Sequence, residues 1–172
     1  MHGSDASQAI LVLVDAKTGD TTRLGANVVH SVGPGKSPNI QNDYLFAGGS
    51  ELGDWSADGK WFYISLVQGS GAKAYNRIGR IALSDPDKVE LLTPEGVNSR
   101  YPSLAPGGSS FVYIATSKKL GESPVQIFEG KVKAGPKGAE CECRQVTHLP
   151  PGWVPNYPYW RAMTSVPVDP LP

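Results

Sequence analysis

Covalent catalysis needs a nucleophile held beside a base, and the chain's serines do not offer one. Gly69-Ser70-Gly71 and Gly107-Gly108-Ser109-Ser110 are rich in the right residue types, but no G-x-S-x-G elbow occurs. Glycine and serine at such points read as turn residues. Three histidines, His2, His30 and His148, lack any H-x-x-x-H spacing; His2 belongs to a tail and His148 to an exposed strand end. Gly33-Pro34-Gly35-Lys36-Ser37 has part of a phosphate loop without its leading spacing or a following helix pattern. The carboxylates Asp43, Glu51, Asp54, Asp58, Asp85, Asp87 and Glu90 are too scattered for a calcium loop. Asp54, just before Trp55, suits either a channel lining or a cap in the turn. Cys141 and Cys143 are one residue apart. That loop is tiny for a structural disulfide, and two sulfurs fall short of a four-ligand zinc site, so they read as unremarkable thiols near a strand. No catalytic, cofactor-binding or metal-binding set is therefore expected.

The aromatic residues carry more information. Trp153, Tyr157, Tyr159 and Trp160 cluster with four prolines near the C-terminus, and Tyr101-Pro102 repeats the Tyr-Pro pair of 157–158. Exposed, such rigid amphipathic side chains make an interaction surface. Buried, they are packing between sheets. These five aromatics are the candidate interaction surface.

The elements that must position them follow from composition. The 172 residues hold sixteen Lys plus Arg against sixteen Asp plus Glu. Neutrality removes the electrostatic basis for binding nucleic acid or an acidic membrane. The longest apolar run, Ala9 to Val14, is six residues, against the roughly 20 of a spanning helix, so no transmembrane segment is expected. Met1-His2-Gly3-Ser4-Asp5 has no basic n-region of a secretory signal. With 20 glycines and 15 prolines, a breaker falls within about a dozen residues almost everywhere. Helix interiors lose about 1 kcal/mol per Gly and about 3 per Pro, whereas short strands fit between breakers. Trp61–Val67, Phe111–Ala115 and Val125–Phe128 are β-branched and aromatic runs suited to strands buried on both faces. The class is all-β.

Internal repetition organises these strands. Trp55 aligns with Leu104 and Gly59 with Gly108 at an offset of 49, and Tyr63-Ile64 with Tyr113-Ile114 at 50, which places a one-residue slip after the turn. Tyr157-Pro158-Tyr159-Trp160 matches Tyr101-Pro102-Ser103-Leu104 as a third opening. The second halves also correspond. Arg80–Leu83 leads into Val89–Thr93, Phe128–Val132 into Cys143–Thr147, and Ile10–Asp15 into Thr21–Leu24. A period near 50 with four short strands per unit is the signature of a β-propeller blade. The Asp58-Gly59 and Gly107-Gly108 turns supply the positive φ of tight hairpins.

Trp55-Ser56-Ala57-Asp58-Gly59-Lys60, followed by Trp61–Ser65, resembles the W-S-P-D-G-K repeat of the WD40-like PD40 family, as does Val14–Gly19 with Thr22–Leu24. The family builds six-bladed propellers of the TolB type and related oligopeptidase propellers. Ala57 replaces the usual proline, the second unit lacks the Asp and Lys, and the third stops after its first strand. The resemblance implies a partial propeller. A tail (1–7) is followed by a partial blade of outer strands (8–27), a long connecting insert (28–51), blades at 52–99 and 100–149, and the start of a next blade (150–172). Trp55, Tyr63, Ile64, Leu104, Tyr113 and Ile114 are expected to be buried. Since propellers typically have 4–8 blades, the chain is expected to belong to a longer propeller or to self-associate. By resemblance it is a non-enzymatic, periplasmic or extracellular scaffold for a protein partner, without cofactor. The alternatives are the propeller portion of an oligopeptidase-type enzyme and a small-molecule or glycan binder.

Overall fold

Strand order, not helix packing, defines this molecule. The computed structural model describes residues 11–25, 29–30, 44–46, 53–68, 75–108, 110–116, 125–136, 138–155 and 158–160. Among them there is no helix, and the strands are β1 (Val12–Val14), β2 (Thr21–Arg23), β3 (Val29–His30), β4 (Tyr44–Phe46), β5 (Asp54–Trp55), β6 (Trp61–Gln68), β7 (Tyr75–Ala82), β8 (Asp85–Leu91), β9 (Asn98–Leu104), β10 (Phe111–Thr116), β11 (Gln126–Gly135) and β12 (Gly138–Gln145). They form an N-terminal β1-β2 hairpin, a first sheet in the order β3-β4-β6-β7-β8 with β5 also on β6, and a second sheet in the order β12-β11-β10-β9. Apart from the parallel β3-β4 pair, every pairing is antiparallel. The fold is all-β and propeller-like: two open blade-like meanders with a partial unit before them.

The two sheets repeat each other in backbone detail. In the first turn the Gly59 N–H donates to Ser56 O at 2.8 Å, and in the second the Gly108 N–H donates to Ala105 O at 2.7 Å. Both glycines sit at φ 68°, where a side chain is strained. The pairs Trp55-Phe62, Tyr63-Arg80 and Ser65-Ile78 recur as Leu104-Phe111, Val112-Glu129 and Ile114-Ile127, so the offset stays at 49 through the second and third strands. The expected slip after the turn does not occur. Tyr63 is equivalent to Val112, and the irregularity lies in β9, where Tyr101 and Pro102 stand opposite Tyr113 in a bulge. Bulges absorb one extra residue without shifting the rest of the ladder.

Each unit closes with the same device. The Thr93 hydroxyl accepts from Ile78 N–H at 3.0 Å, and the Thr147 hydroxyl from Ile127 N–H at 2.9 Å. The next residue back donates its N–H to the same strand's carbonyl, Leu92 to Ile78 and Val146 to Ile127. Leu24 N–H to Leu11 O, at 2.9 Å, places the N-terminal hairpin in this pattern too.

Two features depart from expectation. The segment read as a connecting insert contributes β3 and β4 to the first sheet, and β4 pairs with Leu66 and Val67 where β9 pairs with Ala115 and Thr116. The inner strand of the first unit is thus split into β4 and β5, while in the second it is continuous. Trp55 is half-buried, not buried, because β5 has only two residues and its ring rests on Phe62 at the sheet edge, centroids 4.8 Å apart.

The core lies in the seams between units. Tyr63, Ile78 and Leu92 of the first sheet meet Leu104, Phe111, Tyr113 and Ala115 of the second. On the opposite face of the first sheet, Ile64 and Leu66 pack with Leu11 from beside the N-terminal hairpin. Polar ties reinforce the main seam: Leu104 N–H donates to Asp54 Oδ2 at 2.8 Å, Tyr101 N–H to Ser65 Oγ at 3.0 Å, and Cys141 N–H to Leu92 O at 3.1 Å. Tyr63, Ile64, Leu104, Tyr113 and Ile114 are all buried.

Thr93→Val keeps the shape of a fully buried side chain but orphans the Ile78 N–H. Urea unfolding is expected to show a loss of about 1–2 kcal/mol. Thr147→Val, at a half-exposed site, should cost less; equal or absent losses would contradict the shared closing role.

Candidate functional site: an aromatic groove around Tyr101

The bulge in β9 decides where Tyr101 goes. Tyr101 has φ 57°, the left-handed region that glycine favours, and is the one non-glycine residue with positive φ among those described. Bulges re-aim side chains, and Tyr101 lines two adjoining grooves. One, of about 300 Å³, is walled by Gly53, Asp54, Pro102, Leu104, Tyr159 and Trp160. The other, of about 200 Å³, is lined by Asn98, Arg100, Ile114, Val125, Val154 and Pro155.

The first groove gathers the openings of the three sequence repeats: Asp54 from β5, Tyr101 to Leu104 from β9, and Pro158 to Trp160. No strand pairing forms at Pro158–Trp160, although the Tyr-Pro repeat suggested a further inner strand there. Tyr159 is 73% exposed and Trp160 37%. Trp153, also 65% exposed, lies next to Val154 of the second groove. Tyr157 lies outside the described residues. Of the five candidate aromatics, the structure therefore joins Tyr101, Tyr159 and Trp160 about one groove. Asp54 lines this groove and not a central channel. Its carboxylate accepts from the Trp55 and Leu104 N–H groups, each at 2.8 Å.

A larger cleft, about 870 Å³, opens between the two sheets beneath the β11-β12 hairpin. The Arg80 guanidinium lies 3.7 Å from the centre of the Trp61 ring and meets Glu90 at 2.8 Å, so its charge is already matched. At the equivalent positions of the second sheet stand Ser110, Glu129 and Arg144, where the ion pair recurs with its signs exchanged. The Arg144 hydrogen bond holds the Glu129 carboxyl below its usual range. Asp58, at the rim of the cleft, is lowered too, first by the Ser56 hydroxyl, 2.6 Å away, and then by the Lys60 N–H.

Other sequence candidates separate. Cys141 and Cys143 are not free thiols: they are joined in a disulfide, their Cα atoms 5.3 Å apart. The one-residue loop argues against a bridge, but both residues share one face of β12, which brings the sulfurs together. Asp85, Asp87 and His148 are exposed, and among the described residues no group of three or more His, Cys, Asp or Glu could hold a metal. Ser70, Ser109, His2, Asp43, Glu51 and the Gly33–Ser37 run lie outside the described residues, and His30 falls in β3. Comparisons with protein-family models, with curated proteins and with solved structures found no match.

Asp58 titrates below its ordinary 3.8, so its contribution to stability is present above that value and lost as the pH falls through the folded value. Ser56→Ala is expected to raise the Asp58 pKa toward 3.8 in an NMR titration; an unchanged curve would remove the hydroxyl as the cause.

Proposed function

We propose that this chain is a TolB-like, PD40-type propeller portion acting as a non-enzymatic scaffold, which holds a protein partner against the Tyr101–Tyr159–Trp160 groove. The observation that carries this reading is the convergence of those aromatics, two of them solvent-facing, on a groove at the openings of three repeats. Rigid aromatic side chains lose little entropy on binding and supply large apolar area with a polar tip, which makes them frequent hot spots. The bulge supports the same reading, since a side chain held at φ 57° is costly where glycine would be cheaper. A periplasmic or extracellular setting follows from the resemblance. Among the described residues no helix is long and apolar enough to cross a membrane.

A second reading rests on the size of the groove: about 300 Å³ is at the lower end of small-ligand sites. An aromatic-walled pocket of that volume would stack on the apolar face of a sugar ring.

Peptides selected by display against the folded chain test the first reading. Trp160→Ala is expected to weaken the selected peptides by about 30-fold, in line with a hot-spot loss near 2 kcal/mol. Tyr101→Gly keeps the backbone conformation that the bulge requires while removing the ring, and should weaken them with the β-sheet circular dichroism unchanged. Peptides indifferent to both substitutions would refute the site. A tryptophan fluorescence change with simple sugars, absent in Trp160→Ala, would favour the second reading instead.

A further inference from the structure

The geometry points to a reversible redox centre at Cys141–Cys143 that undergoes thiol–disulfide exchange with a small-molecule thiol of the glutathione class. A disulfide stabilises mainly by closing a long loop in the unfolded chain, and the gain shrinks as the loop shortens. Here the loop contains the single residue Glu142, so the bridge adds little as a staple. The ladder beneath it stays in register, with Cys141 opposite Val132, Glu142 opposite Lys131 and Cys143 opposite Gly130. An extended strand would set the two Cα atoms about 6.6 Å apart; they stand at 5.3 Å, so β12 contracts where the bridge closes.

The surroundings are built to accommodate the sulfurs. Gly130 lies across the ladder, and a Cβ there would come within 2.8 Å of Cys141 Sγ and 2.5 Å of the Phe111 ring. Its absence leaves room for the bridge. A separate cavity of about 330 Å³ reaches Cys141 from solvent between the two units, lined by Arg77, Leu92, Thr93, Pro94 and Glu140. Arg77 donates to the Thr93 carbonyl through Nε at 2.8 Å and places its positive charge on that wall. Cys141 lines this cavity and Cys143 does not, so Cys141 is assigned as the sulfur that exchanges and Cys143 as its partner.

Exchange takes two successive thiolate attacks. A thiolate RS⁻ attacks Cys141 Sγ, the Cys141–Cys143 bond breaks, and Cys143 leaves as a thiolate that takes up a proton. A second RS⁻ then attacks the sulfur of the bound R group, forming RSSR and releasing Cys141 as a thiolate, also protonated from solvent. Two RSH and the disulfide become RSSR and two cysteine thiols. Since the Cys141 N–H donates to Leu92 O across the main seam, the bridge sits where a local change in β12 meets the neighbouring unit.

The test uses the folded chain in mixtures of reduced and oxidised glutathione, quenched with acid and alkylated for intact-mass measurement. The bridge is expected to open and close reversibly across these mixtures with the β-sheet circular dichroism retained. Cys143→Ser should form a one-to-one mixed disulfide with glutathione at least about tenfold faster than Cys141→Ser, following access. A bridge that resists excess reduced glutathione until the chain is denatured would overturn the proposal, as would equal rates in the two variants or two alkylated thiols in oxidised glutathione.

Discussion

The structure depends on how β9 is covered. As the edge strand of the second sheet it would present unpaired N–H groups to solvent, which invites association with other strands. Instead, Leu104 N–H is taken by the Asp54 carboxylate and Tyr101 N–H by the Ser65 hydroxyl, both from the first sheet. These two contacts tie backbone to side chain across the seam and set the register between sheets that otherwise meet through non-directional apolar packing. Tyr63, Phe111 and Tyr113 can then pack as tilted ring pairs in the core at centroid separations near 5.5 Å, within the range aromatic pairs prefer.

The same tie places the groove. Because Ser65 holds the Tyr101 amide, the bulge forms at a defined point of β9, and the Tyr101 side chain leaves the sheet beside Pro102 instead of entering the core. Asp54, by accepting from Leu104, brings the opening of the first unit next to that of the second. The aromatic surface is thus a by-product of seam formation as much as of the residues that line it.

Repetition in this chain preserves backbone devices and varies the side chains between them. The glycine turn and the closing threonine recur at equivalent places because each supplies something the backbone needs: a positive φ in one case, a hydroxyl acceptor in the other. The cross-strand ion pair recurs with its signs exchanged, since either arrangement satisfies two strands facing each other. Where Trp61 carries a stacked guanidinium, the next unit has Ser110 beside a glutamate.

By itself the sequence determined the all-β class, the two blade-like units, their turns and their closing Leu-Thr and Val-Thr residues, because all of these follow from local chemistry: breakers, β-branched runs and φ preferences. It also singled out the aromatics, though not which of them meet. Only tertiary structure decided the rest. The split inner strand arises from pairing between β4 and β6, more than 15 residues apart, which no local pattern encodes. The bulge at Tyr101 mimics a slip at Tyr113 in the sequence, because aligning the two tyrosines moves the extra residue from β9 into the turn, and only the ladder fixes where it lies. The Cys141–Cys143 bridge and the union of Tyr101 with Trp160 depend on which face of a strand each residue occupies and what lies across the seam, and that is settled by packing between sheets.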